Sequence, residues 1–420
     1  MTTKLTNDTI DRTTDGGQTT TVETATPAVS RFASRTAAYG SSIWNDITNL
    51  LHHHEDPVYF GDGSPAKEAI PLATLQRSAQ NVWESALGVL AYGDNQGVPE
   101  LREIIAQRMR ALTVDVDAND ILVTAGSTQG IELICRVLLD PGDVVIVEKP
   151  TFLGALETFT TYQANLVGVP VDEHGMDVDA LEEILANEPN AKIIYTIPTF
   201  HNPTGTTMPA ERRARLVEIA RRHNVIILED DPYSSLRYNG DLVPPVRAFD
   251  DRVVYLGTFS KTIAPGLRTG WVVAPTDIAK MMLAAREIMD ISNDRITQRI
   301  ILQTAKTDLD NNTVRAQAIY RSRRDAMLEA LDEYFPDGIT WSHPEGGFFI
   351  WITLPESIDV TTFADKAATY GTVFFPGDWF FHDHAGTNTI RLSFSTVPED
   401  RIREGIRRLA AAVIDELATE

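Results

Sequence analysis

From about residue 118 the chain alternates short β-rich runs with amphipathic helical stretches, and nothing else limits the fold as much. The β-rich runs are Ile121–Thr124, Val144–Glu148, Leu166–Pro170, Ile193–Ile197, Val225–Glu229, Val253–Gly257 and Trp271–Ala274. Between several of them lie stretches such as Ala210–His223, with apolar residues at helical spacing. Strands that alternate with helices imply an α/β fold with a mostly parallel sheet covered on both faces. A seven-stranded sheet is expected as the core of a large domain over 75–320. A helical stretch from Asn312 to Tyr334 follows. Then come β-like runs at Gly347–Thr353, Thr372–Phe375 and Thr389–Phe394, and a helix from Pro398. They predict a smaller α+β domain over 321–420. The segment 30–74 shows no sheet partner of its own and is expected to pack with that domain. Residues 1–29, Thr-rich and polar, read as a flexible tail without the apolar stretch of a secretory signal.

Ligands of open α/β sheets bind beyond the carboxyl ends of the strands, so the residues there carry the chemistry. Ser127 and Thr128 follow the first run at a predicted helix start, where free N–H groups and the helix dipole suit a phosphate; both are also ordinary capping residues. Phe152 follows the second, as a ring for a ligand or for the core. His201-Asn202-Pro203-Thr204-Gly205 follows the fourth and Asp230-Asp231-Pro232-Tyr233 the fifth. Ser260-Lys261 follows the sixth, with Arg268 in Pro265–Gly270. A phosphate cup, an aromatic plate, Asp, Tyr, Asn, Lys and Arg thus share one sheet edge. Pyridoxal phosphate matches every part, with an Asp for its ring nitrogen and a Lys for its carbonyl. A nicotinamide cofactor fits worse, because no G-x-G-x-x-G follows a first strand.

Composition removes other classes. With 37 basic against 59 acidic residues, the net charge of −22 disfavours a nucleic-acid partner. The run Glu211–Arg215 and the pair Arg221-Arg222 read as the solvated face of a helix. No apolar run of about 18 residues would span a membrane. One cysteine, Cys135, excludes a disulfide framework and reads as a buried helical thiol, so a cytoplasmic chain is expected. His52-His53-His54 and His382-Asp383-His384 look like metal clusters but lack partners at useful spacing, so no metal is predicted.

Over about residues 35–415 the chain resembles the class I/II aminotransferases of the fold-type-I pyridoxal-phosphate superfamily. The likeness rests on Ser260-Lys261 with Gly266, Arg268 and Gly270, on Asn202–Gly205 and on Asp230 with Tyr233. It rests also on Tyr92-Gly93 with Gly97 and Leu101-Arg102, on Glu345–Phe348, and on Phe375–Gly377 with Arg391–Phe394. Phe60–Pro65 and Asp230–Tyr233 point to the branch of 2-aminoadipate, kynurenine and broad-range aromatic or branched-chain aminotransferases.

The resemblance implies roles. Lys261 holds the cofactor through its amine and shuttles the α-proton; Asp230 keeps the ring nitrogen protonated. Tyr233 and Asn202 bond the ring's O3′, and Phe152 stacks on the ring. Ser127, Thr128, Ser260 and Arg268 hold the phosphate. Tyr92 reaches it from the other subunit of a homodimer. Arg391 clamps the substrate α-carboxylate, with Gly63 against it. The implied reaction passes an amino group from an L-amino acid to a 2-oxo acid by ping-pong half-reactions. Other pyridoxal-phosphate chemistry, a β-lyase or an amino-acid oxidase, stays open beside it, as does an aminotransferase specific for 2-aminoadipate or glutamate. A transcription regulator of the same fold fits poorly, because 1–29 cannot form a winged helix. One departure bears on substrate. Ser41-Ser42-Ile43-Trp44-Asn45-Asp46 places Trp44 where the branch carries an Arg for a distal carboxylate. Aromatic, branched-chain or other uncharged donors are therefore expected, unless Trp44 merely packs a helix or the register slips. Acidic co-substrates would need another cation, such as Arg31 or Arg295.

Overall fold

The structure, a computed structural model, describes residues 31–39, 43–85 and 88–418. The tail expected over 1–29 lies outside them, as do Ser41 and Ser42. The seven expected strands are present, and Gly175–Met176 adds an eighth at one edge, paired to Asn165–Asp172 in a hairpin too short to show a period. In spatial order the sheet runs Ile121–Thr124, Gly270–Val273, Val254–Thr258, Ile226–Asp231, Ala191–Thr196, Val144–Lys149, Asn165–Asp172 and Gly175–Met176. The strands from Val254–Thr258 to Asn165–Asp172 pair in parallel; Gly270–Val273 is antiparallel to both of its neighbours.

Alternation along each strand divides the core in two. Val145, Val147, Ile193 and Tyr195 pack under helices Ser127–Leu138, Leu153–Thr161 and Thr276–Met289, where Cys135 lies as a buried free thiol. Val144, Ile146, Ile194 and Ile227 pack under Val178–Asn187 and Ala210–His223. Each fully buried Val or Ile contributes roughly 1.5–3 kcal/mol. Covered on both faces, these strands read as apolar runs rather than as alternating ones.

A single helix, Arg295–Tyr334, spans 40 residues. It starts well before Asn312, capped by Asp294, whose carboxylate accepts from the Ile296 and Thr297 N–H groups. Ile301 and Leu302 pack it on the large sheet, and Tyr320, Met327 and Leu331 on a second core. Position 320, expected as a domain limit, falls inside this unbroken helix. The second core covers an antiparallel sheet ordered Thr340–Trp341, Phe349–Thr353, Thr389–Ser393 and Phe375–Pro376, flanked by helices Val360–Thr369 and Glu399–Leu417. The segment 30–74 does have a sheet partner, contrary to expectation. Val58–Tyr59 pairs in parallel with Thr372–Val373, a contact too short for the sequence pattern to reveal. Among the described residues no helix is long and apolar enough to cross a membrane.

The basic run of helix Ala210–His223 is not uniformly solvated. Arg213 is fully buried and donates to the carbonyls of Met208, Pro244 and Pro198 and to the Thr199 hydroxyl. It thereby fixes the segment leading to Asn202. Arg213→Met should lower stability by about 2–4 kcal/mol, because these buried acceptors lose a charged donor. Arg215→Met, at a half-exposed ion pair with Glu182, should stay within about 1 kcal/mol. Urea unfolding of the two variants checks both values.

Candidate active site

Beyond the carboxyl ends of the central strands lies a cavity of about 300 Å³. Ser127, Thr128, Phe152, Asn202, Asp230, Tyr233, Ser260, Lys261, Arg268, Arg391, Gly63 and Trp44 all line it. Tyr92 does not. It is 84% exposed, and its carbonyl, with that of Ala91, accepts from Arg295.

Strand Ile226–Asp231 ends in adjacent carboxylates, and the strand period sends them to opposite faces. Asp231 points away from the cavity, accepting from the Ser234 N–H at 3.0 Å and the Tyr255 hydroxyl at 2.8 Å. Asp230 faces it. Its Oδ2 accepts from the Tyr195 hydroxyl at 2.9 Å, while Oδ1 is buried without a partner. Burial pushes this acid up to about 7, although the Tyr195 hydrogen bond pulls the other way.

Lys261 sits in the loop joining strands Val254–Thr258 and Gly270–Val273. Its Nζ donates to the Gly63 carbonyl at 2.9 Å and lies 5.9 Å from the ring centres of Tyr233 and Phe348. Burial pushes its amine down to about 8. Burial also raises the Tyr233 phenol, which stands edge-on to Phe348 and Phe349.

At one end of the cavity, helix Ser127–Leu138 begins after Gly126, whose φ of 84° is cheap only for glycine. A Cβ there would stand 2.4 Å from Arg268 Nη2. Gly270 is needed for closeness instead, since its Cβ would meet the Gly257 carbonyl oxygen at 2.7 Å and Ser127 N at 2.9 Å. The helix start, Ser260 and Arg268 thus form a tight anion cup. Across the cavity, Arg391 is buried among rings, with Phe349 at 4.2 Å, Phe375 at 4.7 Å and Phe380 at 4.8 Å from its guanidinium. It donates to Asn202 Oδ1 at 2.9 Å and to the Gly61 carbonyl at 2.7 Å, and makes no ion pair among the described residues. Burial lowers it to about 10.

An orphaned carboxylate oxygen, a cation-lined anion cup and a buried lysine fit pyridoxal phosphate, whose ring nitrogen, phosphate and carbonyl they match in kind. A counter-ion-free arginine beside them suits a carboxylate. The family model for aminotransferases of class I and II matches residues 60–409. The chain belongs to that family. It is 42% identical to an aromatic-amino-acid aminotransferase of Thermococcus litoralis, over 89% of this chain and 92% of the relative. A multiple-substrate aminotransferase structure from Thermococcus profundus superposes with TM-score 0.89 at 39% identity, covering 93% of this chain and 98% of that one. A Pyrococcus horikoshii kynurenine aminotransferase structure, in complex with PMP, superposes with TM-score 0.88 at 37% identity, covering 92% and 98%. This aminotransferase therefore uses pyridoxal phosphate and acts on amino acids and 2-oxo acids.

Sequence patterns miss several residues of the site. Tyr195 reads as strand core, and only the fold reveals its bond to Asp230. Phe349 and Phe380 look like any small-domain core residue. Asp62 lies inside the motif Phe60–Pro65 without being singled out. Arg295, anchored on Ala91 and Tyr92, does not line the cavity, and neither does Arg31. In the two histidine runs, His54 accepts from the Asp56 N–H, His382 packs on Gly168, and Asp383 pairs with Lys149.

The raised acid of Asp230 has a sign that can be checked. Between the ordinary value of about 4 and the folded value of about 7, the unfolded chain has lost a proton that the folded chain keeps. Without cofactor, Asp230 therefore withdraws stability progressively as pH rises through that window. Asp230→Asn should raise Tm relative to wild type increasingly from pH 4 to 7, with the gain held at pH 8. The same variant should lose cofactor affinity. Thermal scans and cofactor titrations check this, and a larger affinity loss in Asp231→Asn would move the ring-nitrogen partner to that residue.

Proposed function

We propose that Lys261, Asp230 and Tyr233 are the catalytic residues of this aminotransferase and that it works by ping-pong half-reactions on uncharged amino acids. Bound in the cavity, pyridoxal phosphate supplies an electron sink for the substrate α-carbon. Lys261 would carry it on its ε-amine and would serve as the base that holds the proton taken from the substrate α-carbon. An amine poised near 8 suits that work close to neutral pH. Asp230 offers its unpartnered oxygen to the ring nitrogen and holds the proton there. The Tyr233 hydroxyl and the Asn202 amide would hold the ring's O3′, and Phe152 would pack against the ring. Ser127, Thr128, Ser260 and Arg268 hold the phosphate. Arg391 takes the α-carboxylate, with Gly63 beside it.

A homodimer is part of this reading: the partner subunit's Tyr92 reaches the phosphate. Exposed Trp83, Leu90, Tyr92 and Ile288 supply apolar surface for it. The compartment proposed is the cytoplasm, since a lone buried thiol gains nothing from oxidising surroundings.

The observation that carries the substrate reading is the charge of the cavity wall. Among the described residues lining it, the cations are Lys261, Arg268 and Arg391, each already assigned. Trp44 stands at the mouth, edge-on to Phe375 at 6.2 Å, so an apolar surface meets the substrate side chain. Aromatic, branched-chain or other uncharged donors are favoured. Wild-type kcat/KM for phenylalanine and leucine should exceed that for glutamate and 2-aminoadipate, and Trp44→Arg should narrow the gap by about tenfold, as one charge-assisted hydrogen bond allows. A tenfold wild-type preference for acidic donors would overturn the reading. For the lysine, borohydride reduction and peptide mapping should label Lys261 alone. Lys261→Ala should lose at least about 10²–10⁴-fold in turnover.

A further inference from the structure

Asp62 is the one acidic side chain on the described cavity wall besides Asp230, and the roles above leave it unused. Its loop is pinned on every side. The Phe60 carbonyl accepts from the Ser393 N–H, the Gly61 carbonyl from Arg391 and the Gly63 carbonyl from Lys261. The Asp62 and Ser64 carbonyls lie 3.2 and 2.7 Å from the Ser395 hydroxyl. The side chain is fixed as well, since Asp62 Oδ1 accepts from the Ser64 N–H at 2.8 Å. Its other oxygen has no partner, and the carboxylate forms no ion pair, among the described residues. Its charge nevertheless acts on the cavity, drawing the Lys261 amine and the Arg391 guanidinium toward their protonated forms. Asp62, Lys261 and Arg391 line one cavity, so a carboxylate there that Arg391 does not pair meets the field of this anion without a cation to offset it.

We propose that Asp62 is a charge filter of the substrate cavity, turning away amino acids and 2-oxo acids that carry a second carboxylate. In a ping-pong reaction donor and acceptor use one cavity in turn, so the filter acts on both. The acceptor, like the donor, is then a monocarboxylic acid of the pyruvate or aryl-pyruvate type rather than 2-oxoglutarate. Like charges brought together in a partly desolvated site oppose binding strongly, and this is how specificity against a competitor arises without a new attraction. The inference rests on the proposed preference for uncharged substrates and assigns part of it to one residue.

The test is Asp62→Asn, which keeps an oxygen for the Ser64 N–H and removes the charge; Asp62→Ser is a second, smaller variant. In the holoenzyme, inhibition constants of glutarate and of 3-phenylpropionate are compared, together with kcat/KM for 2-oxoglutarate and phenylpyruvate. Both variants should shift the dicarboxylate-to-monocarboxylate ratio toward the dicarboxylate by at least about tenfold. An unchanged ratio, or an equal gain for both classes, overturns the filter even where wild-type enzyme favours monocarboxylates. A wild-type enzyme that prefers glutarate and 2-oxoglutarate overturns the underlying substrate reading instead, whatever the variants do.

Discussion

Three distant stretches of this chain meet at a buried guanidinium, Arg391, that makes no ion pair among the described residues. Arg391 stands mid-strand in the small sheet, opposite Trp351 on one side and Phe375 on the other. It reaches out of that sheet to the Gly61 carbonyl and to the Asn202 amide, which follows a strand of the large sheet. An unpaired cation in such surroundings is expensive unless neighbouring groups offset the lost water. Two hydrogen bonds and three ring faces offset part of it; each cation–π contact contributes about 0.5–2 kcal/mol. The two sheets thus meet at a guanidinium bonded to both an Asn beyond the large sheet and the loop at Gly61, and under the function proposed above a substrate carboxylate completes its surroundings.

The same incompleteness recurs along the cavity wall. Burial favours the neutral forms of both Lys261 and Asp230, moving the amine down to about 8 and the acid up to about 7. Tyr195 prevents Asp230 from drifting further, because a hydrogen bond to its charged form lowers the acid. The folded chain accepts these destabilised groups because the surrounding core is large and covered on both faces. Stability is invested in the sheet and withdrawn at its edge.

What could be read in advance divides along physical lines. The central strands of the large sheet were legible because strands covered on both faces need continuous apolar runs. The cavity edge was legible because strand-end residues are polar where the core would forbid it. Arg213 was not: a charged residue on an amphipathic helix looks solvated until its carbonyl partners arrive from other segments. Val58–Tyr59 and Gly175–Met176 have two residues each, shorter than any period. The start of the long helix hid behind its mixed polarity, since its faces turn from one core to another along its length. Tyr195 carries no local signal at all. Its role exists only because strands Ala191–Thr196 and Ile226–Asp231 are neighbours.

Strand Ile226–Asp231 shows how little separates structure from chemistry here. Glu229, Asp230 and Asp231 are consecutive, acidic and buried, yet the pleat gives them different surroundings. Glu229 accepts from the Val246 and Arg247 N–H groups and lies in the field of Arg213. Asp231, on the same face, is satisfied by Ser234 and Tyr255. Both outer acids complete the fold on the side away from the cavity. Only the middle one, turned to the opposite face, keeps an oxygen with nothing to accept from. Composition alone assigns no difference among the three. The difference comes from an alternation of two and from which neighbours the sheet order supplies, and a slip of one residue would exchange a cavity-facing acid for one bonded into the fold.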